Sequence, residues 1–221
     1  MEQPLRAEED LRIIRSLMER ATIYRAISAP TALVGGFLAL LASAAIHLVE
    51  RSRSGFFEPF LGTREFAAIW LCVLLVVLIA NTFFVWREAQ KSGRPFISAG
   101  MKLALRAVAP CLLLFAVVTG WVLSADDSNV TKLALVSVWI GLYGLALLST
   151  ALFAPRALVV LGWAFLLTSL TFPVWNGLFP GHFGRVPNMA MAITFGLYHL
   201  VYAACTWGRN RILTGDQPIL E

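Results

Sequence analysis

The stretch FAAIWLCVLLVVLIANTFFVW, residues 66–86, decides the fold class of this chain. It contains no Asp, Glu, Lys or Arg and is as long as a transmembrane helix must be, about 20 apolar residues for a hydrocarbon core of about 30 Å. Because that core offers no water, every backbone group must find a partner within its own segment, which favours a helix. Residues 66–86 therefore predict a membrane-spanning helix.

Five more stretches have the same character. They are Thr31–Val49, Leu103–Ser124, Lys132–Phe153, Ala157–Trp175 and Met189–Trp207. Arg106 and Lys132 are the charged residues in these stretches, and both lie near an end, from which a long cationic side chain can reach the membrane interface. The sequence thus predicts an all-α membrane protein with six transmembrane helices.

The composition supports this prediction. Of 221 residues, 58% are hydrophobic and 14% are charged, against about 45–50% and about 25% in an average soluble domain. A soluble globule of this size could not bury the apolar excess. The net charge of +5 would suggest nucleic acid in a soluble chain, but in a membrane protein Lys and Arg first mark the cytoplasmic side. We therefore expect the lipid bilayer, and no nucleic acid, as a partner.

The Lys and Arg residues divide unequally between alternate loops. With six spans, thirteen of the eighteen fall on the side of the two termini and five on the opposite side. The positive-inside rule then places both termini in the cytoplasm. The predicted organisation is a cytoplasmic N-terminal segment over residues 1–30, a six-helix bundle over 31–207 and a cytoplasmic tail over 208–221.

The segment before the first span has the pattern of an amphipathic helix. Between Glu8 and Ala26 the apolar residues lie on one side of a helical wheel, and Arg12, Arg15 and Arg20 lie on the other. One interpretation is a helix that lies on the cytoplasmic leaflet. The other is a helix that docks a cytosolic protein or a second copy of the chain. Its candidate docking face consists of Leu11, Ile14, Leu17, Met18 and Ala21.

This segment also carries a resemblance. The run Leu11-Arg12-Ile13-Ile14-Arg15-Ser16-Leu17-Met18-Glu19-Arg20-Ala21, followed by Ser28-Ala29-Pro30 and Gly35-Gly36, resembles an uncharacterised family of bacterial polytopic inner-membrane proteins. Members open with an L-R-x-I-R-x-x-M-E-R-A stretch and often sit beside winged-helix transcriptional regulators. The resemblance covers about 30 residues and implies a bacterial inner-membrane location and a link to a regulator. It implies no site residue.

The predicted spans hold little that could carry chemistry. They contain no Asp or Glu, no H-E-x-x-H zinc helix and no G-x-S-x-G nucleophile turn. Cys72, Cys111 and Cys205 are far apart in the sequence, so they suggest packing residues rather than a metal site. His47 and His199 differ in depth by about 12 Å, which is unsuited to a shared haem. We expect no enzyme activity, no catalytic residue, no metal and no cofactor.

His199 is the candidate intramembrane polar site, since it lies near the middle of the sixth predicted span. An imidazole at that depth is costly unless it is paired. It either forms a structural hydrogen bond to a Tyr, Ser or Thr on another helix or belongs to a functional site. Asn81, Thr119, Ser137, Thr168, Ser169 and Thr171 are further candidates for bonds between helices.

Two functions remain open from the sequence. The first is a non-enzymatic bacterial inner-membrane protein with a cytosolic partner, acting in signalling or regulation. The second is a carrier or channel for a small neutral or anionic solute, with spans kinked at Pro110 and Pro173. The lack of intramembrane acids argues against ion-coupled transport.

Overall fold

The computed structural model describes residues 29–52, 61–91, 93, 97, 99–124, 128–152, 154–178 and 185–214, and all regular secondary structure in these ranges is helical. The helices are α1 Ala29–Ser52, α2 Thr63–Lys91, α3 Ala99–Ser124, α4 Asn129–Ser149 and α5 Arg156–Leu178. The last helix runs over 186–214 in three parts, α6 Val186–Met191, a π-helical segment Ala192–Tyr198 and α7 His199–Thr214.

Each predicted span coincides with one of these helices, although most helices extend further at their ends. Helix α4 is the exception, because it ends at Ser149 rather than Phe153 and continues into turns closed by Thr150 and Ala151. Within the described residues, five helices are long and apolar enough to cross a membrane. The fully described part of α5, Arg156–Thr171, is shorter than a span. The predicted N-terminal helix and its docking face lie outside the described residues.

The surface of the bundle is strongly apolar. Many large aliphatic side chains that face outward are more than half exposed, among them Leu75, Ile79, Leu113, Val117 and Val160. A soluble monomer rarely exposes contiguous apolar surface beyond a few hundred Å². This surface fits a multi-pass membrane protein surrounded by lipid.

The helices form an incomplete ring. Helix α1 packs against α2 on one side and against the last helix on the other, and the last helix reaches α5. Helix α4 packs extensively on α5 and also contacts α3. Within the described residues, α2 and α3 do not pack extensively against each other. The ring therefore has its weakest closure between α2 and α3, and Phe165 of α5 lies fully buried inside it.

Two close approaches between helices depend on glycine. A Cβ on Gly144 of α4 would lie 2.8 Å from the carbonyl oxygen of Gly162 and 2.8 Å from the amide nitrogen of Leu166, both on α5. A Cβ on Gly36 of α1 would lie 2.9 Å from the carbonyl oxygen of Gly196 in the π-helical segment. At both points the helix backbones are so close that there is room for the hydrogen of glycine but not for a Cβ atom. Small residues allow such close packing in membrane bundles.

A polar cluster joins α1, α2 and α4 at one end of the bundle. It consists of the buried residues Glu50, Leu61, Thr63 and Lys132 and the exposed Ser128. We call it the Lys132 cluster. The ammonium of Lys132 donates to the Leu61 carbonyl and lies 5.9 Å from the centre of the Phe66 ring. Thr63 Oγ1 donates to the Ser128 carbonyl at 3.3 Å, and the Leu61 amide donates to the Glu50 carboxylate.

The expectation that Lys132 reaches out to the interface is wrong. Its side chain is 2% exposed, and Glu50, just beyond the predicted first span, is 6% exposed. Lys132 bends inward because a carbonyl, an aromatic face and the nearby Glu50 carboxylate replace its hydration.

Candidate functional site

An aromatic cluster of Tyr143, Phe165, Phe195, Tyr198 and His199 lies at the centre of the bundle. Phe165 contacts the other four, with ring centroids between 4.7 and 5.6 Å apart. Phe195 and His199 are four residues apart and stack with an interplanar angle of 13°. The cluster joins α4, α5 and the last helix, so it holds the His199 imidazole in one orientation.

His199 makes a hydrogen bond across helices, of the kind that the sequence suggested. Its Nε2 lies 2.7 Å from the hydroxyl oxygen of Tyr143 on α4. Its buried Nδ1 faces the carbonyl groups of Thr194 and Phe195 but forms no well-aligned hydrogen bond within the described residues. Because carbonyl oxygens repel a lone pair, we place the proton on Nδ1, and the Tyr143 hydroxyl then donates to Nε2.

The π-helical segment Ala192–Tyr198 directly precedes His199. Such segments are rare and are frequently found at functional sites. Here the segment packs on α1 through Gly196, whose added Cβ would lie 2.6 Å from Leu40 Cδ2. The π-helical segment therefore contacts α1 through Gly196. It contacts the aromatic cluster through Phe195 and Tyr198.

The other polar residues that the sequence singled out behave in two ways. Thr168 bonds to the Tyr198 hydroxyl at 2.9 Å, and Thr119 accepts from Trp139 Nε1 at 2.8 Å, so both connect helices. Ser137, Ser169 and Thr171 bond to carbonyls of their own helices instead. The Asn81 side-chain oxygen is buried without a partner among the described residues.

A cavity of about 200 Å³ lies beside the aromatic cluster. Helices α1, α2, α3, α4 and the last helix contribute to its wall, and His199 and Tyr143 are part of it. None of its described lining residues is Asp, Glu, Lys or Arg. Leu74 of α2 and Leu112 of α3 also line it and are 39% and 52% exposed. The cavity therefore reaches the lipid-facing surface between α2 and α3.

Tyr143 and Trp70 belong to this wall and were not singled out by the sequence. Tyr143 was detectable in principle, because it follows the start of its span by nearly as many residues as His199 follows the start of the sixth. Trp70 gave no such signal, since a Trp in a span is ordinarily a packing residue. It is 4% exposed, and its indole nitrogen is buried with no hydrogen-bond partner among the described residues.

The site is built mainly from apolar and aromatic side chains. The described part of the chain contains no group of three His, Cys, Asp or Glu residues that could hold a metal ion. His199 and Tyr143 are joined to each other, in an apolar surrounding that disfavours charge. The site offers shape, aromatic faces and a few hydrogen-bonding groups to a ligand.

Comparison of the chain with models of known protein families, with curated proteins and with solved structures gave no match.

Proposed function

We propose that this chain is a non-enzymatic, multi-pass membrane protein that binds a neutral, largely apolar small molecule in its central cavity and signals to a cytosolic partner. The observation that carries the proposal is the cavity of about 200 Å³, whose described wall is uncharged and contains the Tyr143–His199 pair. Each part of the proposal has its own support.

The dimensions and surroundings of the cavity support a small ligand. An apolar cavity of about 150 Å³ is enough to bind benzene. The present cavity is somewhat larger and opens toward lipid beside Leu74 and Leu112, so an apolar molecule dissolved in the bilayer could enter from the side. A charged molecule would be left without a counter-ion at this uncharged wall.

The position of α1 supports a signalling role. Thr31, Gly35 and Ala39 of α1 line the cavity, and Gly36 packs against the π-helical segment. The predicted docking face ends at Ala21, only ten residues before Thr31. A ligand that moves α1 would therefore act on the segment that we propose to bind a cytosolic regulator.

The membrane arrangement is part of the same proposal. We place six spans in a bacterial inner membrane, with residues 1–30 and 208–221 in the cytoplasm, on the strength of the Lys and Arg distribution and the N-terminal resemblance. The absence of Asp and Glu from the predicted spans supports a non-enzymatic role. A second copy of the chain remains a candidate partner of the N-terminal helix.

The alternative is a small-solute carrier or channel. The cavity walls provide few polar groups for a hydrated solute, and an apolar molecule of this size crosses a bilayer unaided. A receptor is therefore the better-supported function. The carrier alternative predicts protein-dependent flux of a polar neutral solute into proteoliposomes, which the receptor proposal does not.

The proposal can be tested with isopropylbenzene as a neutral apolar probe. Equilibrium dialysis would measure its binding to protein in nanodiscs, with empty nanodiscs as the correction for partitioning into lipid. Gly35→Leu should abolish saturable binding, because the added side chain enters the cavity past Val77 Cγ1, 3.4 Å from the new Cβ. Gly120→Leu should retain it, because no other group lies within 4 Å of its added Cβ. Absence of saturable binding to the unmodified chain would refute the proposal.

A further inference from the structure

The contacts that anchor α3 lie near its C-terminal end. Thr119 is 5% exposed, and its Oγ1 accepts from Trp139 Nε1 of α4 at 2.8 Å. The Leu123 carbonyl accepts from Arg64 Nε of α2 at 3.0 Å. The rings of Phe115 and Trp139 also pack together, with centroids 5.4 Å apart. Residues 115–124, the anchored part of α3, are therefore tied to both α2 and α4.

The N-terminal part of the same helix is packed less tightly. From Met101 to Val118, none of the described side chains is buried, and Leu103, Leu105 and Leu113 are more than half exposed. Within the described residues, α2 does not pack extensively against α3, so α2 gives this part little support. We call residues 101–109 the α3 arm.

Pro110 separates the α3 arm from the anchored part. Because proline has no backbone N–H, the carbonyl of Arg106, four residues earlier, lacks its usual helical donor. Sharp bends in helices occur mainly at such positions. The next residues, Cys111 and Leu112, line the cavity, and Leu112 is 52% exposed on the side of the lipid. A bend at Pro110 therefore changes α3 directly beside the opening of the cavity.

We infer that the α3 arm is a gate, which swings about Pro110 and controls the passage of the ligand between the bilayer and the cavity. Its role as an entrance rests on the proposed function, whereas the motion itself requires no ligand. When the arm swings away from α2, the gap beside Leu74 and Leu112 widens, and when it returns, the gap narrows. A swing of about 20–30° would move Leu103, about 10 Å from Pro110 along the helix, by about 4–5 Å.

Distances between spin labels on the full chain in nanodiscs test this motion. Helix α5 provides the reference, because it packs extensively on α4. Leu103→Cys with Val160→Cys reports on the α3 arm, and Trp121→Cys with Leu170→Cys reports on the anchored part. All four positions are more than half exposed, so the labels disturb little packing. The three cysteines of the chain would first be replaced by alanine, at Cys72, Cys111 and Cys205.

Double electron–electron resonance should give a wider distance distribution for the arm pair than for the anchored pair, by about 4–5 Å. Pro110→Ala supplies the missing N–H and should narrow the arm distribution to the width of the anchored one. Gly120→Ala is the matched control in the anchored part of the same helix, since no other group lies within 4 Å of its added Cβ. It should leave the arm distribution wide.

The exchange of isopropylbenzene between the lipid and the cavity tests the role as an entrance. It would be measured by NMR saturation transfer on the same nanodiscs. Pro110→Ala should slow the exchange severalfold and leave the affinity from equilibrium dialysis nearly unchanged, because the hinge controls access and not the cavity wall. Gly120→Ala should change neither quantity.

The outcomes separate the gate from the proposed function. Equally narrow distributions for both pairs in the unmodified chain would overturn the gate and leave the proposed function intact. A wide arm distribution that survives in Pro110→Ala would overturn the hinge, and a narrowed one with unchanged exchange would overturn the role as an entrance. Absence of saturable binding of isopropylbenzene would overturn the proposed function and this role together. A wide arm distribution that Pro110→Ala narrows, with slower exchange, would establish the gate.

Discussion

His199 Nε2 lies 2.7 Å from the hydroxyl oxygen of Tyr143, and this contact joins the last helix to α4 deep inside the bundle. Both side chains line the cavity, and both rings pack on Phe165. The contact therefore combines two roles: it satisfies an imidazole in an apolar setting, and it shapes the wall to which we assign a ligand.

Substitution of His199 should separate these roles. His199→Gln keeps a donor and an acceptor of similar reach and should retain most of the thermal stability in detergent. His199→Leu loses the bond to Tyr143 and should lower the free energy of unfolding by about 0.6–2 kcal/mol, as for other bonds between membrane helices. The melting temperature would then fall by a few degrees.

Tyr143→Phe provides the matched control, because it removes the hydroxyl and keeps the ring against Phe165. If the bond is structural, the loss in His199→Leu/Tyr143→Phe should be smaller than the sum of the single losses. Stable His199→Gln and His199→Leu proteins that both lose partner binding would instead give His199 a functional role.

The sequence was informative about His199 but not about its surroundings. The length of each apolar stretch predicts where a span begins and ends and how deep each of its residues lies. The helices therefore lie where they were expected. Predicted depth also makes Tyr143 a possible partner of His199, because both residues lie near the middle of their spans. It does not show that α4 and the last helix face each other at Phe165, because helix rotation depends on contacts between distant segments.

The same reason accounts for Trp70 and the π-helical segment. Ala192–Tyr198 has no composition that distinguishes a π-helix from an α-helix, and the segment is identifiable only from its hydrogen bonds. That the Trp70 indole nitrogen has no acceptor among the described residues depends on tertiary packing, which the sequence pattern does not show.

The Gly144 contact should be intolerant of a methyl group. Gly144→Ala would place its Cβ 2.8 Å from two backbone atoms of α5, which cannot rotate away, so the helices must separate. We expect a loss of about 1–3 kcal/mol, the usual cost of overpacking. Gly120→Ala is the control, since its added Cβ meets no other group within 4 Å, and it should be neutral or slightly stabilising. Thermal unfolding of both variants in detergent checks this; equal stability would disprove the close contact.

The Lys132 cluster should contribute strongly to stability. Lys132→Met removes the bond to the Leu61 carbonyl and the cation that acts most strongly on the buried Glu50 carboxylate, at a cost of about 2–5 kcal/mol. Adding Glu50→Gln should recover part of this loss, because it removes a buried charge that has lost its main cation. Lys102→Met, at an exposed position in α3, should have little effect. A fully additive double variant would show that Glu50 and Lys132 are not coupled.

The proposed orientation is open to a direct test. Single cysteines would be introduced into a chain without Cys72, Cys111 and Cys205 and labelled in intact cells with a membrane-impermeant maleimide. Positions 54 and 128 should react from outside, and positions 94 and 211 should react only after the inner membrane is permeabilised. The prediction rests on the excess of Lys and Arg on the side of the termini. The opposite labelling pattern would reverse the orientation and remove the N-terminal segment from the cytoplasm.

The last prediction links the cytoplasmic segment to the cavity. Ile14→Glu/Met18→Glu places two charges on the apolar docking face and should release a cytosolic protein that co-purifies with the unmodified chain from native membranes, without changing membrane insertion. Arg12→Gln/Arg15→Gln, on the opposite side of the same predicted helix, is the matched control for partner binding.

If α1 connects the docking face to the cavity, Gly35→Leu should change the amount of bound partner. Gly120→Leu should not, because Gly35 lies in the cavity wall and Gly120 does not. Quantitative mass spectrometry of the purified complexes measures both effects. If no cytosolic protein co-purifies with any of these chains, the N-terminal helix is better explained as lying on the membrane surface, and the proposed signal would need another route.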